Sequence, residues 1–173
     1  MSSTASFAAA ALNTKNHRRD VFDCGSQALN HYLKEQVSQD MRRHMAACFV
    51  ALSDTNRIVG YYTLAASSLL LGDLPIEIGK KLPRYLTVPA VLMGRLAVDQ
   101  AFKGQGLGGA LLGDALERAS RSEIAAYALM VHAKDKEAAV FYRHHGFIEL
   151  PDEAFTLFLP LATVKNHVND VLK

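Results

Sequence analysis

The sequence has only two cysteines, Cys24 and Cys48. Two are too few for a disulfide framework, and neither stands at metal-ligand spacing from other ligand residues, so a stapled secreted scaffold and a structural zinc site are both excluded. Both read as small buried residues in a reduced, cytoplasmic setting. Long apolar runs are missing as well. None approaches the roughly 20 residues a helix needs to span a bilayer, so no membrane partner is expected. Gly (11) and Pro (5) are too sparse for a collagen-like chain, and no sustained heptad supports a coiled coil. Neither charge dominates: 19 Lys and Arg against 17 Asp and Glu leave a net +2, which implies no partner by itself.

What is present is the make-up of a folded domain. Half of the 173 residues are hydrophobic, so disorder as the main state is excluded and a single domain over residues 1–173 is expected. The charges are unevenly spread: Lys80, Lys81, Arg84 and Arg95 face only Asp73 and Glu77 within residues 61–95. Met1–Leu12 is small and apolar, but no basic residue precedes its mostly alanine stretch Ala5–Leu12. It reads as a frayed start leading into a first strand, not as a targeting segment.

Ser26 after Gly25 is a helix N-cap, and Leu29, Leu33, Val37 and Met41 at four-residue spacing predict an amphipathic helix over 27–45. Ala47–Ser53 and Ile58–Leu71 around the turn at 54–57 predict a hairpin. A short helix is expected near Ile76–Lys81, then a central strand over Pro89–Val98. Leu107, Leu111, Leu112, Ala115, Leu116 and Ala119 share a helical face. Ala126–His132 is strand-like, Lys136–His145 is a helix stopped by Gly146, and Phe147–Leu150 and Phe155–Leu159 close the sheet. Leu161–Leu172 reads as a terminal helix. This order predicts an α/β fold with a mixed sheet and flanking helices.

The strongest chemical signal is Lys103-Gly104-Gln105-Gly106-Leu107-Gly108-Gly109. Glycines let backbone N–H groups approach a ligand, and the helix that starts here adds unpaired N–H groups and the positive end of its dipole. Strand, Gly-rich loop and helix start together make a phosphate cradle. Gly104, Gly106 and Gly109 formally match a dinucleotide fingerprint, but Asp99–Lys103 separate them from the strand and no acidic residue ends the next strand. A nucleoside-triphosphate loop is excluded because no Lys-Ser/Thr pair follows the glycines.

The second signal is Phe141-Tyr142-Arg143-His144-His145-Gly146-Phe147. A phenol one turn before a glycine stop can project into a cleft and donate a proton to a leaving group, which makes Tyr142 a candidate general acid. Phe141 by itself reads as a core aromatic. His144 and His145 are adjacent and point apart on a helix, so no metal site is expected. Ser67 and Ser68 lack a nucleophile elbow.

Leu96-Ala97-Val98-Asp99, the Lys103–Gly108 loop and the Phe141–Phe147 segment together resemble the GNAT superfamily of N-acetyltransferases. The family loop begins with Arg or Gln where this chain has Lys103. Phe22–Gly25, Leu29-Asn30 with Tyr32-Leu33, Gly60-Tyr61-Tyr62 with Leu64, Gly94–Val98 and Val131–Ala133 are similar to the TacT-like GNAT toxins of bacterial toxin–antitoxin pairs.

The resemblance implies a GNAT-like, mostly antiparallel central sheet flanked by helices, with acetyl-CoA as cosubstrate and no metal. It implies that Lys103, Gly104, Gln105, Gly106, Leu107, Gly108 and Gly109 hold the pyrophosphate. Leu96, Ala97 and Val98 would pair with the pantetheine arm, Phe141 would line the cofactor site and Tyr142 would protonate the leaving thiolate. The substrate it implies is aminoacyl-tRNA, acetylated on its α-amine so that translation stops. Lys80, Lys81, Arg84, Arg95, Arg42 and Arg43 would then meet tRNA phosphates, although Arg42 and Arg43 equally suit a solvated helix face. Its partners would be a ribbon-helix-helix antitoxin, operator DNA through that antitoxin, and a second copy in a homodimer. The alternative activity is a GNAT enzyme acting on a small amine or a protein N-terminus. A binding module without catalysis is the reading from another class, and the intact loop and Tyr142 speak against it.

Overall fold

A computed structural model describes residues 9–164 of the chain. Strand β1 spans Ala9–Ala11, so the expected first strand is there; residues 1–8 lie outside the described residues. Helix α1 spans Gln27–His31, capped by the Ser26 side chain, which accepts from the Leu29 N–H. The periodicity predicts one helix to residue 45, but the coil opens into a π turn over Tyr32–Gln36 before α2 at Val37–Arg42. The wider turn lets Tyr32, Leu33 and Val37 all bury. His44, at φ 57, ends the helix early.

Strands β2 (Ala47–Leu52) and β3 (Ile58–Leu70) form the expected hairpin, closed by Ser53 N–H donating to Arg57 C=O at 2.9 Å. Helix α3 (Ile76–Gly79) is short. Strand β4 runs Thr87–Val98, starting ahead of the predicted Pro89. Helix α4 spans Leu107–Arg121, β5 Ala128–His132, α5 Lys136–His144, β6 Ile148–Leu150 and β7 Glu153–Pro160. Of the predicted terminal helix, residues 161–164 are helical and the remainder lies outside the described residues.

The seven strands have the order β1-β2-β3-β4-β5-β7-β6. The pairs β1/β2, β2/β3, β5/β7 and β6/β7 are antiparallel and β4/β5 is parallel, the mixed but mostly antiparallel sheet expected. The β4/β5 register runs from Ala90↔Ala128 to Met93↔Val131, while β4 itself continues to Val98.

Contacts gather into two compact units whose divisions fall inside β3, β4 and α4. The first runs to Ala65 and takes in Gly94–Ala115. Its core packs Phe22, Tyr32, Leu33, Val37, Cys48, Val50, Ile58, Tyr61 and Ala97, with Phe22 edge-on to Tyr61 at 5.5 Å between ring centres. The second takes Ala66–Met93 and the chain from Leu116, around Leu69, Leu74, Val88, Ala90, Ala128, Met130, Leu150 and Phe158. Cys24 and Cys48 are free thiols and buried, and burial pushes the Cys48 thiol up to about 12. Among the described residues no helix is long and apolar enough to cross a membrane, and no three His, Cys, Asp or Glu side chains gather to hold a metal.

Candidate functional site

The loop after β4 is built on a buried carboxylate. Asp99 is 3% exposed and caps the 3₁₀ turn Gln100–Phe102. Its Oδ1 accepts from Ala101 N–H at 2.9 Å, and its Oδ2 accepts from Asp23 N–H at 3.1 Å and from Arg57 Nη2 at 3.3 Å. The Arg57 guanidinium also lies over the Phe102 ring, 5.5 Å from its centre, and its Nε is buried without a partner. Gln100 N–H donates to Asp23 C=O at 2.9 Å, and Lys103 Nζ donates to Cys24 C=O at 3.0 Å. Two segments far apart in sequence, 22–25 and 99–103, are thus tied together before the glycines begin. The Asp23 carboxyl is held below its usual range, first by the hydrogen bond from Asn30 and then by that from Gly25 N–H.

Gly104 and Gly106 have φ +82 and +78, a conformation that side-chain-bearing residues rarely adopt, and no atom stands within 4 Å of where a Cβ would sit on either. The turn needs glycine for its backbone shape, and the space beside it is open. Helix α4 follows at once. Its first backbone bond is Ala110 N–H to Gly106 C=O at 3.1 Å, so the N–H groups ahead of Ala110 carry the free donors of the helix start. Leu107, Leu111, Leu112 and Ala115 are buried and seat this end of the helix. Gly60 on β3 makes the close approach possible: a Cβ there would meet Leu111 Cδ1 at 2.8 Å and Ala97 O at 3.3 Å. Tyr62 on β3 donates its hydroxyl to Asp114 Oδ2 of α4. These features make an anion cradle of N–H groups on a rigid support. Here the Lys103 ammonium serves as a tether, not as a free cation.

Tyr142 lies in the second unit, on α5. Asp135 caps that helix by accepting from Ala138 N–H at 2.8 Å, worth about 1 kcal/mol. At the other end Gly146, at φ +91, lets Gly146 N–H reach Arg143 C=O at 3.0 Å and Phe147 N–H reach Tyr142 C=O at 3.1 Å. This stop packs Phe147 5.5 Å from the Tyr142 ring. The Tyr142 side chain is buried, its hydroxyl has no hydrogen-bond partner among the described residues, and burial pushes it up to about 12. It is therefore a phenol that stays protonated and whose proton is unspent. Phe141 is half-buried, edge-on to Tyr142 at 5.3 Å and to His145 at 4.7 Å. Burial, then the neighbouring His144, lowers the His145 imidazole.

The basic residues differ in setting. Lys80, Lys81 and Arg84 are exposed, and Lys80 pairs with Glu77 at 2.7 Å, an exposed pair of little energetic weight. Arg42 and Arg43 are exposed at the end of α2. Arg95 is half-buried and stacks on Tyr32. The motifs gave roles to the glycines and to Tyr142; Asp99, Asp23 and Gly60 stood inside motif segments without a role, and Arg57 stood in none. Asp99 carried a usable sign, an Asp at the junction of strand and turn; nothing in the sequence paired it with Asp23 or Arg57.

Residues 44–149 match the family described as "Acetyltransferase (GNAT) domain". The chain is 34% identical over 151 residues to a "tRNA-acetylating toxin" of Mycobacterium tuberculosis (strain ATCC 25618 / H37Rv), covering 86% of this chain and 89% of that protein. Its fold resembles "AtaT complexed with acetyl-methionyl-tRNAfMet" with a TM-score of 0.86, at 28% identity over 94% of this chain and 99% of the other. It also resembles "AtaTR bound with AcCoA" with a TM-score of 0.81, at 28% identity over 94% and 98% of the two chains.

Proposed function

This chain belongs to the GNAT acetyltransferase family, and from that premise we propose that it moves an acetyl group from acetyl-CoA to the α-amine of the amino acid on a charged tRNA, stopping translation. The observation that carries the reading is the loop of positive-φ glycines, open on its outer side and opening into a helix start. Relatives described as acetylating tRNA, as bound to acetyl-methionyl-tRNA and as bound to AcCoA support the substrate and the donor. The whole chain acts as one catalytic domain.

Acetyl-CoA supplies an acyl group activated as a thioester. The N–H groups of residues 103–109 hold its pyrophosphate, and the loop keeps its shape through Asp99 and the Lys103–Cys24 tether. The backbone of Leu96, Ala97 and Val98, on the part of β4 that runs beyond its register with β5, pairs with the pantetheine arm. A main-chain N–H there steadies charge that develops on the carbonyl oxygen. Phe141 lines the cofactor site. As the amine nitrogen bonds to the acetyl carbon and the C–S bond breaks, Tyr142 delivers its proton to the departing sulfur. The proton shed by the nitrogen passes to solvent, from which the phenolate is re-protonated. A phenol pushed up to about 12 is fully protonated for that task at cellular pH. An α-amine titrates near pH 8 or below, so a useful fraction is neutral without a protein base. Lys80, Lys81, Arg84, Arg42, Arg43 and Arg95 meet tRNA phosphates.

The toxin acts in the cytoplasm as a homodimer. It is neutralised by a ribbon-helix-helix antitoxin, through which it reaches operator DNA; the similarity to toxins of toxin–antitoxin pairs supports this. Calorimetry with acetyl-CoA on the native protein and on Gly106→Asp tests the site. The variant adds a carboxylate where the phosphates sit and should lose binding. Unchanged affinity would remove the loop from the account.

A further inference from the structure

Arg95 is set apart from the other basic residues by what holds it. Its guanidinium carbon lies 3.4 Å from the centre of the Tyr32 ring. That ring is 2% exposed and is fixed at its far end by its hydroxyl, which donates to Asp40 Oδ2 at 2.8 Å. The Tyr61 ring lies nearly parallel to it, at 16° with ring centres 6.5 Å apart. One face of the guanidinium is therefore covered by an immobile aromatic plane, which sets the plane of the fork.

Its donors, by contrast, are unspent. No described residue accepts a hydrogen bond or forms an ion pair with Arg95. The other guanidiniums packed in the same unit are engaged: Arg19 donates to Leu33 C=O and Ser38 Oγ at 3.1 Å each, and Arg57 pairs with Asp99. A half-desolvated, oriented and unpaired guanidinium is costly unless an anion from outside completes it, and its planar fork matches two oxygens of a phosphate or carboxylate.

The position of Arg95 selects the anion. It immediately precedes Leu96, where the reading above places the start of the pantetheine pairing, and the acceptor amine has to arrive at that end of the cofactor. In a charged tRNA the amino acid's carboxyl is esterified and neutral. The anion nearest the amine is the phosphodiester joining the last two nucleotides. We propose that Arg95 binds this terminal phosphodiester, and so separates charged tRNA from free amino acids and small amines. The inference rests on the charged-tRNA reading and assigns Arg95 a role that Lys80, Lys81 and Arg84 do not share: it reads the acceptor end, whatever the rest of the tRNA contributes.

The test uses three acceptors made from total charged tRNA: the intact RNA, the aminoacylated 3′ oligonucleotide left by cleavage after guanosine, and the aminoacyl-adenosine left by cleavage after the preceding cytidine. The last has lost the phosphodiester. Arg95→Gln should lower kcat/KM by roughly tenfold to a hundredfold on the intact RNA and on the oligonucleotide alike, the loss expected for a charge-assisted hydrogen-bond pair. Its rate on aminoacyl-adenosine should equal that of the native protein. Arg95→Lys, which keeps the charge but not the fork, should recover part of the loss. Acetyl-CoA affinity should not move in either variant. An equal loss on aminoacyl-adenosine would show that Arg95 acts only by packing Tyr32, and no loss on the oligonucleotide would show that it meets no terminal phosphate. Either result overturns the proposal. Native protein that binds acetyl-CoA but acetylates none of the three acceptors overturns the charged-tRNA reading itself, a result distinct from both.

Discussion

Replacing Asp99 should damage stability and cofactor binding together. In Asp99→Ala the buried carboxylate goes, and with it three acceptor contacts: to Ala101 N–H at 2.9 Å, Asp23 N–H at 3.1 Å and Arg57 Nη2 at 3.3 Å. A net contribution of about 1 kcal/mol per bond sums to roughly 2–4 kcal/mol, because the donors are left facing a cavity. The Arg57 term belongs at the low end, since that side chain keeps 32% of its exposure. A loss of this size is a large part of the roughly 5–15 kcal/mol that holds a domain folded. Asp99→Asn is the sharper variant. Its amide oxygen can still cap Ala101, but its NH₂ must then face the Asp23 N–H and the guanidinium, donor against donor. That costs about 1–3 kcal/mol with no change of shape. Urea unfolding measures both losses. Calorimetry should show weaker acetyl-CoA binding in both, because segment 99–103 is what presents Gly104 and Gly106. If Asp99→Ala unfolds within about 0.5 kcal/mol of the native protein, as an ordinary surface substitution does, the carboxylate is not the anchor of this loop.

Tyr142→Phe keeps the ring against Phe147 and removes the unspent proton. It should fold, bind acetyl-CoA as the native protein does and lose roughly 10²–10⁴-fold in kcat; turnover within a few-fold of native would make Tyr142 only a packed aromatic. Since burial pushes its hydroxyl up to about 12, the pH profile of native kcat should show no loss from Tyr142 ionisation at pH values well below that. Gly60→Ala puts a methyl 2.8 Å from Leu111 Cδ1 and 3.3 Å from the Ala97 carbonyl, which should cost about 1–3 kcal/mol in thermal unfolding and weaken acetyl-CoA binding by lifting the start of α4. Reversing Lys80 and Lys81 to Glu should raise the KM for charged tRNA and flatten its salt dependence without touching acetyl-CoA affinity. An unchanged salt slope would leave those lysines as plain surface residues.

Local patterns were legible because their causes are local. The four-residue spacing of Leu29, Leu33 and Val37 dictates a buried helical stripe, and the turn at 54–57 between two β-rich runs dictates a hairpin. The glycines before Leu107 announced a loop that needs positive φ, and Gly104 and Gly106 have it. What stayed hidden depends on distant partners. Periodicity does not register the π turn at Tyr32–Gln36, which lets Tyr32 and Leu33 bury side by side in the core. The Asp99 anchor joins residues 23, 57 and 99, whose meeting only the fold decides. Arg95 stood in the Gly94–Val98 motif but took its role there only as one more positive charge; its partial burial and the Tyr32 ring beneath it are what distinguish it from the exposed Lys81 and Arg84.

The most direct test incubates the native protein with acetyl-CoA labelled in its acetyl group and total charged tRNA, followed by digestion to nucleosides and identification of the labelled product. The account predicts label on the α-amine of aminoacyl-adenosine, and only a small fraction of it in the same reaction run with Tyr142→Phe or Gly106→Asp over the time the native enzyme needs for completion. Label that appears instead on free amines or protein N-termini, with charged tRNA left untouched, would contradict it.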